Sequence, residues 1–286
     1  MTKNILILLV ASLLLSYCTS SSVDVPIKAM SFNIRYDNPR DGINTWNNRK
    51  ELATETIISE KVDIVGMQEV LLSQQKYLEE KLTAYSNYSV GRDDGKTRGE
   101  MGSIFYLTDR FDVIKKNTFW LSETPDSIGS KGWNAVLPRI VSWVKFLDKE
   151  NNQEFYFFNT HFSHVGEEAR TNSAKLLVKK VAEISEGLPV IISGDFNCQE
   201  DAEAYQTIVK ESGKTTLYNS HYLSETDHYG GLNTINSFGR SKREAVIDYL
   251  FCNSGFKVKT HGVLPIIKDS IFISDHFPVA ASLEFE

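Results

Sequence analysis

The chain has 286 residues, 41% of them hydrophobic and 24% charged, a balance that excludes a disordered or fibrous protein. Its formal net charge of -6 lacks the basic excess of proteins that grip long nucleic acids, because neutralising phosphates drives such binding. Three cysteines are too few for a disulfide framework, and we predict that Cys198 and Cys252 are small core residues.

The first 24 residues predict an export signal and a tether. Lys3 precedes an apolar stretch at residues 5–15, which is too short for a comfortable membrane span. Leu15-Ser16-Tyr17-Cys18 resembles a bacterial lipobox, although Tyr17 departs from the small residue preferred there. We therefore expect an exported lipoprotein anchored to a membrane only through Cys18, with ordinary secretion as the alternative.

Residues 25–286 then form one domain, which we expect to be monomeric and in which strand-like and helix-like runs alternate without a linker or a short repeat. The predicted strands span residues 27–34, 62–70, 88–91, 103–107, 111–120, 140–147, 154–159, 188–193, 246–252, 257–263 and 279–285. The predicted helices span residues 49–61, 73–82, 167–185 and 201–210. Because several strands follow one another without a helix between them, we predict an α/β fold of two mixed β-sheets packed face to face, with helices outside.

Polar clusters follow five of the apolar runs. They are Met30-Ser31-Phe32-Asn33, Met67-Gln68-Glu69, Asn159-Thr160-His161-Phe162-Ser163-His164, Ser193-Gly194-Asp195-Phe196-Asn197 and Ser274-Asp275-His276-Phe277-Pro278. Strand ends that deliver carboxylates, amides and imidazoles can build one site, in which carboxylates hold a hard cation and imidazoles move protons. This inventory favours metal-assisted hydrolysis of phosphoesters.

These motifs, in this order and with Ile247-Asp248-Tyr249-Leu250-Phe251 before the last, resemble the endonuclease/exonuclease/phosphatase superfamily from about residue 28 to residue 286. The resemblance implies a four-layer α/β sandwich and hydrolysis of a phosphoester in nucleic acids, nucleotides, lipid head groups or phosphorylated small molecules. Further segments, including Gly91-Arg92-Asp93-Asp94-Gly95 and Lys131-Gly132-Trp133-Asn134, are similar to a branch of bacterial secreted or surface hydrolases.

Glu69 is the predicted metal ligand, because a carboxylate at a strand end can bind Mg²⁺ or Mn²⁺ and leave water positions for a phosphate. By resemblance, Asp275 is a second ligand of the metal or its water, and Asn33 orients Glu69, the metal or the phosphate. A zinc pair formed by His161 and His164 is the competing hypothesis, which the hard carboxylates disfavour.

The predicted catalytic residues are Asp195, Asn197, His276, Asp248 and His161. Asp195 and Asn197 lie two positions apart, so an extended segment presents both on one face. Asp195 positions or deprotonates the attacking water, and Asn197 donates to a phosphoryl oxygen. A neutral His276 acts as acid or base, and Asp248 orients its ring. The resemblance implies that His161 contacts the phosphate or protonates the leaving oxygen.

The predicted substrate-binding residues are Asn33, Arg139, His164, Trp133 and Phe238. Arg139 faces the phosphate or forms a structural ion pair, and the two aromatic residues stand in glycine-flanked loops that can wall a pocket. The three other histidines, His221, His228 and His261, have no matching context, so we predict ordinary loop or surface roles for them.

The sequence therefore predicts a Mg²⁺-dependent phosphomonoester or phosphodiester hydrolase that uses in-line attack by water. A nuclease acting on DNA or RNA is the first alternative, and the acidic net charge weakens it. A non-catalytic surface-binding module is the second alternative, but it would be expected to lose some of the site residues, all of which are present. The identity of the substrate does not follow from the motifs.

Overall fold

A computed structural model describes residues 25–240 and 245–286, so the prediction of a signal peptide and tether at residues 1–24 lies outside the described residues. The α-helices are α1 (Trp46–Ser59), α2 (Leu72–Lys81), α3 (Glu167–Ser185), α4 (Glu203–Ile208) and α5 (Ser220–Leu223). The 3-10 helices are Pro39–Asn44, Gly213–Thr215 and Ser237–Gly239.

The strands are β1 (Ile27–Asn33), β2 (Ile64–Val70), β3 (Tyr85–Gly91), β4 (Met101–Leu107), β5 (Phe111–Trp120), β6 (Ile140–Asp148), β7 (Gln153–His161), β8 (Val190–Asp195), β9 (Tyr218–Asn219), β10 (Tyr229–Gly230), β11 (Asp248–Cys252), β12 (Phe256–Val263), β13 (Ile267–Lys268), β14 (Ile271–Phe272) and β15 (Val279–Phe285). All the predicted strands and helices are present, with ends that differ by a few residues. The short elements β9, β10, β13, β14 and α5 were not predicted, because two to four residues carry no periodic pattern.

Two large mixed sheets form the centre of the fold, which confirms the predicted α/β sandwich. The first sheet has the strand order β10-β12-β15-β1-β2-β4-β3, and the second has the order β5-β6-β7-β8-β11-β9. The pairs β1–β2 and β7–β8 are parallel, whereas β6–β7 is the antiparallel hairpin that the sequence predicted. Strands β1 and β2 lie over β7, β8 and β11, so the middles of the two sheets face each other.

Apolar side chains fill the space between the sheets and the space beneath the helices. The main core joins strand residues of the two facing sheets, such as Phe32 and Phe157, with Ile57 of α1. A second core packs Leu177 and Val181 of α3 against the outer face of the second sheet. The layers are therefore helix, sheet, sheet and helix. No helix within residues 25–240 and 245–286 is both long and apolar enough to cross a membrane.

Candidate active site

The strand register brings the polar motifs to one edge of the two sheets. In the second sheet, Asp195 at the end of β8 pairs with His161 of β7 on one side and with Asp248 of β11 on the other. In the first sheet, Asn33 at the end of β1 pairs with Gln68 of β2, next to Glu69. The ends of the central strands of both sheets meet here. Residues more than 200 positions apart in the sequence therefore line one cleft of about 440 Å³.

A β-bulge aims Glu69 into this cleft. The register between β2 and β4 shifts between Met67 and Val70, and Glu69 has a φ of 64°, which is uncommon for a residue with a side chain. Its Oε1 atom accepts a hydrogen bond from Asn33 Nδ2 at 3.2 Å, and its Oε2 atom accepts one from the Tyr36 backbone N–H at 3.1 Å. These bonds hold the carboxylate in the cleft, where it can serve as a ligand.

The carboxylates of Glu69 and Asp275 both lie close to the guanidinium of Arg35. Arg35 Nη1 lies 3.9 Å from Glu69 Oε2 and 3.5 Å from Asp275 Oδ2. Burial raises the pKa of Asp275, and the neighbouring Glu69 carboxylate raises it further. A hard divalent cation fits this pair of carboxylates, because the pair offers oxygen ligands and because a cation would offset their negative charge. Asn33 Nδ2 orients Glu69, and Asn33 Oδ1 accepts a hydrogen bond from the Arg35 N–H at 3.0 Å; binding of a metal by Asn33 stays a prediction.

Asp195 contacts several of the predicted site residues. Its Oδ2 atom accepts a hydrogen bond from Asn33 Nδ2 at 2.9 Å, and it lies 3.4 Å from His161 Nε2 and 3.9 Å from His276 Nδ1. Burial, together with the nearby Asp248 carboxylate, raises the pKa of Asp195 to about 7. A carboxylate of this kind can accept a proton near neutral pH, which is what a general base must do.

His276 and Asp248 form a buried pair, with His276 Nδ1 2.9 Å from Asp248 Oδ2. Burial alone would lower the pKa of His276, but the Asp248 and Asp195 carboxylates raise it well above its usual value. The predicted contact with Asp248 is therefore present, and the raised pKa favours the cationic imidazole over the neutral form that the sequence analysis expected. The ligand atoms of Asp195, Asp248 and His276 lie within 4.8 Å of one another, so they could share a cation only after His276 has lost its proton.

His161 and Asn197 both contact the Asp195 carboxylate. Burial and the Arg139 guanidinium lower the pKa of His161 well below its usual value, so its imidazole is neutral. The Asn197 backbone N–H donates to Asp195 Oδ1 at 2.9 Å, and its side chain donates to the Phe162 carbonyl at 3.1 Å. Asn197 thus helps to fix the direction of the Asp195 carboxylate.

Arg139 and His164 line the same cleft, and Arg139 Nη2 lies 3.0 Å from His164 Nδ1. Arg139 also lies 3.7 Å from Glu100, a carboxylate that the sequence analysis missed. Glu100 accepts a hydrogen bond from Arg92 at 2.6 Å and stands 3.7 Å from His161 Nδ1. Burial, followed by the Glu69 charge, raises the pKa of Glu100. The available signal was weak: an acidic residue just before β4 and an arginine in the glycine-flanked loop.

Trp133 and Phe238 are not among the described residues that line the cleft. The Trp133 backbone N–H donates to Glu123, and the Trp133 side chain is half-buried. Phe238 has a φ of 57° in a tight turn, and its ring lies edge-on to Phe272 with ring centroids 6.4 Å apart. Substrate binding by these two residues stays a prediction.

Of the three remaining histidines, His221 is exposed and His228 stands in a loop, as expected, whereas His261 is buried in β12. His221, His228 and His261 cluster on one side of the fold, with ring centroids 5.1 to 5.2 Å apart, and His261 is buried. Cys198 and Cys252 are both buried in the core, as predicted.

Comparison with known proteins shows which family the chain belongs to. The sequence model of the Endonuclease/Exonuclease/phosphatase family matches residues 30–276. The endonuclease/exonuclease/phosphatase from Bacteroides vulgatus is 40% identical with a TM-score of 0.88, over 92% of this chain and 100% of that chain. A mannosyl-6-phosphatase from Bacteroides thetaiotaomicron is also 40% identical with a TM-score of 0.84, over 91% of this chain and 100% of that chain.

A more distant relative is an uncharacterized protein of Acanthamoeba polyphaga mimivirus, 25% identical over 72% of this chain. This chain spans only 34% of the length of that viral protein. The family match covers most of the chain and includes the motifs that build the cleft. The chain therefore belongs to the endonuclease/exonuclease/phosphatase family.

Proposed function

We propose that this chain hydrolyses phosphoesters of small molecules, and sugar phosphates in particular, with the help of Mg²⁺ or Mn²⁺. Phosphoester hydrolysis is the general reaction of the family to which the chain belongs. The observation that carries the proposal is the convergence of His161, Asn33 and the His276–Asp248 pair on one oxygen of Asp195.

Glu69 and Asp275 are the residues that would hold the divalent cation. When bound, such an ion polarises a phosphoryl oxygen and offsets the negative charge of the phosphate. The chain contributes the direction of the Glu69 carboxylate, through Asn33 and the Tyr36 backbone N–H. This supports oxygen ligands and a hard cation over the zinc alternative that rests on His161 and His164.

Asp195 would accept a proton from the attacking water. Its Oδ1 atom accepts a hydrogen bond from the Asn197 N–H and its Oδ2 atom accepts one from Asn33, and these bonds hold the carboxylate in the wall of the cleft. The cationic His276 beside it would stabilise the ionised carboxylate, and Asp248 would hold the imidazole ring in that position. A positioned general base of this kind typically contributes about 10²–10⁴-fold to a rate.

Arg139 and His164 give the cleft a part that suits a phosphate. Arg139 and His164 lie within hydrogen-bond distance of each other and both line the cleft. The Arg139 guanidinium offers a forked set of donors that matches the oxygens of a phosphoryl group. A neutral His161 Nε2 nearby can carry a proton to or from an oxygen of the substrate.

The sugar phosphate is favoured because a relative of 40% identity is described as a mannosyl-6-phosphatase. The formal net charge of -6 also opposes tight binding of long nucleic acids, so a nuclease remains the second candidate. Retention of Glu69, Asp195, Asn197 and His276 opposes a non-catalytic binding module, which would be expected to lose some of them.

The test is a hydrolysis assay with purified protein on a hexose 6-phosphate, a phosphodiester and DNA. We expect the hexose phosphate to have the highest kcat/KM, and we expect chelator to abolish hydrolysis and added Mg²⁺ or Mn²⁺ to restore it. A preference for DNA would support the nuclease instead. Full activity in excess chelator would overturn the role of the metal.

A further inference from the structure

A cluster of three histidines lies apart from the cleft, at the side of the fold where the two sheets meet. His221 belongs to α5, which follows the last strand of the second sheet, and His261 belongs to β12 of the first sheet. His228 stands in the loop between them, just before β10. One ring nitrogen from each residue lies within 4.8 Å of those of the other two.

From this geometry we infer a second metal site, formed by His221, His228 and His261, that binds a transition metal such as Zn²⁺. Imidazole nitrogens suit Zn²⁺ and similar ions, whereas Mg²⁺ prefers oxygen ligands. The site is therefore chemically different from the cleft with Glu69 and Asp275, and the inference does not depend on the proposed reaction.

The hydrogen bonds of His228 leave the lone pair on its Nδ1 atom, where it can bind a metal. His228 Nε2 lies 2.7 Å from the Gly231 carbonyl oxygen, which can only accept, so Nε2 carries the hydrogen. In the neutral ring, the lone pair then resides on Nδ1, which points at His261 Nδ1 at 3.1 Å. A second hydrogen bond from a ligating histidine to a carbonyl is the arrangement that commonly orients histidines at metal sites.

The spacing of His228 and His261 fits coordination. Two nitrogens bound to one tetrahedral Zn²⁺ at about 2.0–2.1 Å are about 3.3 Å apart, close to the observed distance between the two Nδ1 atoms. Burial is the main reason that the pKa of His261 is lowered to about 3, so this ring is neutral. On binding, the hydrogen now shared between the Nδ1 atoms moves to Nε2 of His261, and the ring stays neutral.

The surroundings leave room for further ligands. The histidines line a cavity of about 240 Å³, whose wall includes Glu200. Glu200 is held by the hydroxyl of Tyr222 at 2.5 Å and by the side-chain amide of Asn219 at 3.2 Å. Three protein nitrogens and one open position are the ligand set of a zinc ion that keeps a water or a small ligand.

The first test is Co²⁺ binding to the chelator-stripped protein with excess Mg²⁺ present to occupy the cleft. We expect the visible absorption bands of four-coordinate Co²⁺, with saturation at a single equivalent and displacement by Zn²⁺. Glu69→Gln is the matched control, because it removes a carboxylate of the other site and should leave these bands unchanged.

Ligand variants decide the assignment. His228→Gln and His221→Gln each remove one nitrogen from a position that is not buried, so the fold should persist. Each should weaken Co²⁺ binding by more than about 100-fold, because even losing a partner that only orients a ligand typically costs 10–100-fold. Zn²⁺ should raise the midpoint of thermal unfolding of the unsubstituted protein by several degrees and leave that of His228→Gln unchanged.

Two experimental results would overturn the inference. Absence of the Co²⁺ bands, or equal affinity in the unsubstituted protein and both ligand variants, would mean that the three rings form only a hydrogen-bonded cluster. Loss of the bands in Glu69→Gln but not in His228→Gln would place the ion in the cleft instead.

Discussion

Asp195 connects more of the site than any other residue, because its two oxygens serve different partners. Oδ1 accepts from the backbone of Asn197, whereas Oδ2 meets Asn33, His161 and His276. An Asp that is fully buried keeps such contacts only when they compensate its charge. The chemistry of the cleft therefore depends on which groups surround a single carboxylate.

Replacing Asp195 with Asn should abolish proton acceptance and preserve the shape of the side chain. We expect kcat on a phosphoester to fall by about 10²–10⁴-fold, which is the usual contribution of a general base. Steady-state kinetics measure the loss, and the thermal midpoint should stay close to that of the unsubstituted protein. Turnover close to that of the unsubstituted protein would show that another group takes the proton.

Asp248 should act through His276, since its Oδ2 atom contacts the imidazole at 2.9 Å. We expect Asp248→Asn and His276→Gln each to lower kcat, and the double variant to be hardly worse than His276→Gln alone. Residues that work as a unit lose their effects non-additively, whereas independent residues multiply them. The measurement is kcat for all four proteins, and strictly multiplicative losses would contradict the pairing.

At the scale of elements, the approach of the two sheets depends on Gly66 in β2. A Cβ atom at this position would lie 1.9 Å from Ser193 Oγ and 2.7 Å from Asn159 Oδ1 on the facing sheet. Asn159 is buried and uses both ends of its amide: Nδ2 donates to the Met67 carbonyl at 2.8 Å, and Oδ1 accepts from Gln68 at 2.7 Å. This polar contact joins β2 to β7 just below the cleft.

Gly66→Ala should therefore push the sheets apart or break the Asn159 hydrogen bonds. We expect a loss of about 1–3 kcal/mol in the free energy of unfolding, the usual cost of overpacking a dense interior. Urea unfolding gives the value. Gly231→Ala is the control, because its nearest neighbour would be an ordinary contact at 3.6 Å. Equal stabilities of the two variants would show that the interface between the sheets can adapt.

At the scale of the whole molecule, the expectation of a lipid anchor rests on residues 1–24. We expect the full chain to fractionate with membranes and its Cys18→Ala variant to move to the soluble exported fraction. Several acyl chains on one residue hold a protein stably, whereas a single chain holds it only marginally. Immunoblots of cell fractions test this, and equal amounts of both proteins in the soluble fraction would favour plain secretion.

The sequence by itself determined the fold class and most of the residues in the cleft. Strand and helix patterns are local, since periodicity and turn residues act over about ten positions. The polar motifs could be placed at strand ends for the same reason. Asn33, Glu69, His161, Asp195 and His276 were therefore identified before any distance between them was known.

Tertiary structure alone decided how these residues meet. The bulge that turns Glu69 inward depends on its pairing with β4, and the raised pKa of His276 depends on the Asp248 and Asp195 carboxylates, whose effect outweighs that of burial. Glu100 and the three-histidine cluster were missed because strand order, not sequence spacing, brings them to their partners. His221 and His261, for example, stand 40 positions apart in a pattern that resembles no motif. Contacts between residues far apart in the sequence create such sites, so patterns within a short stretch of sequence do not predict them.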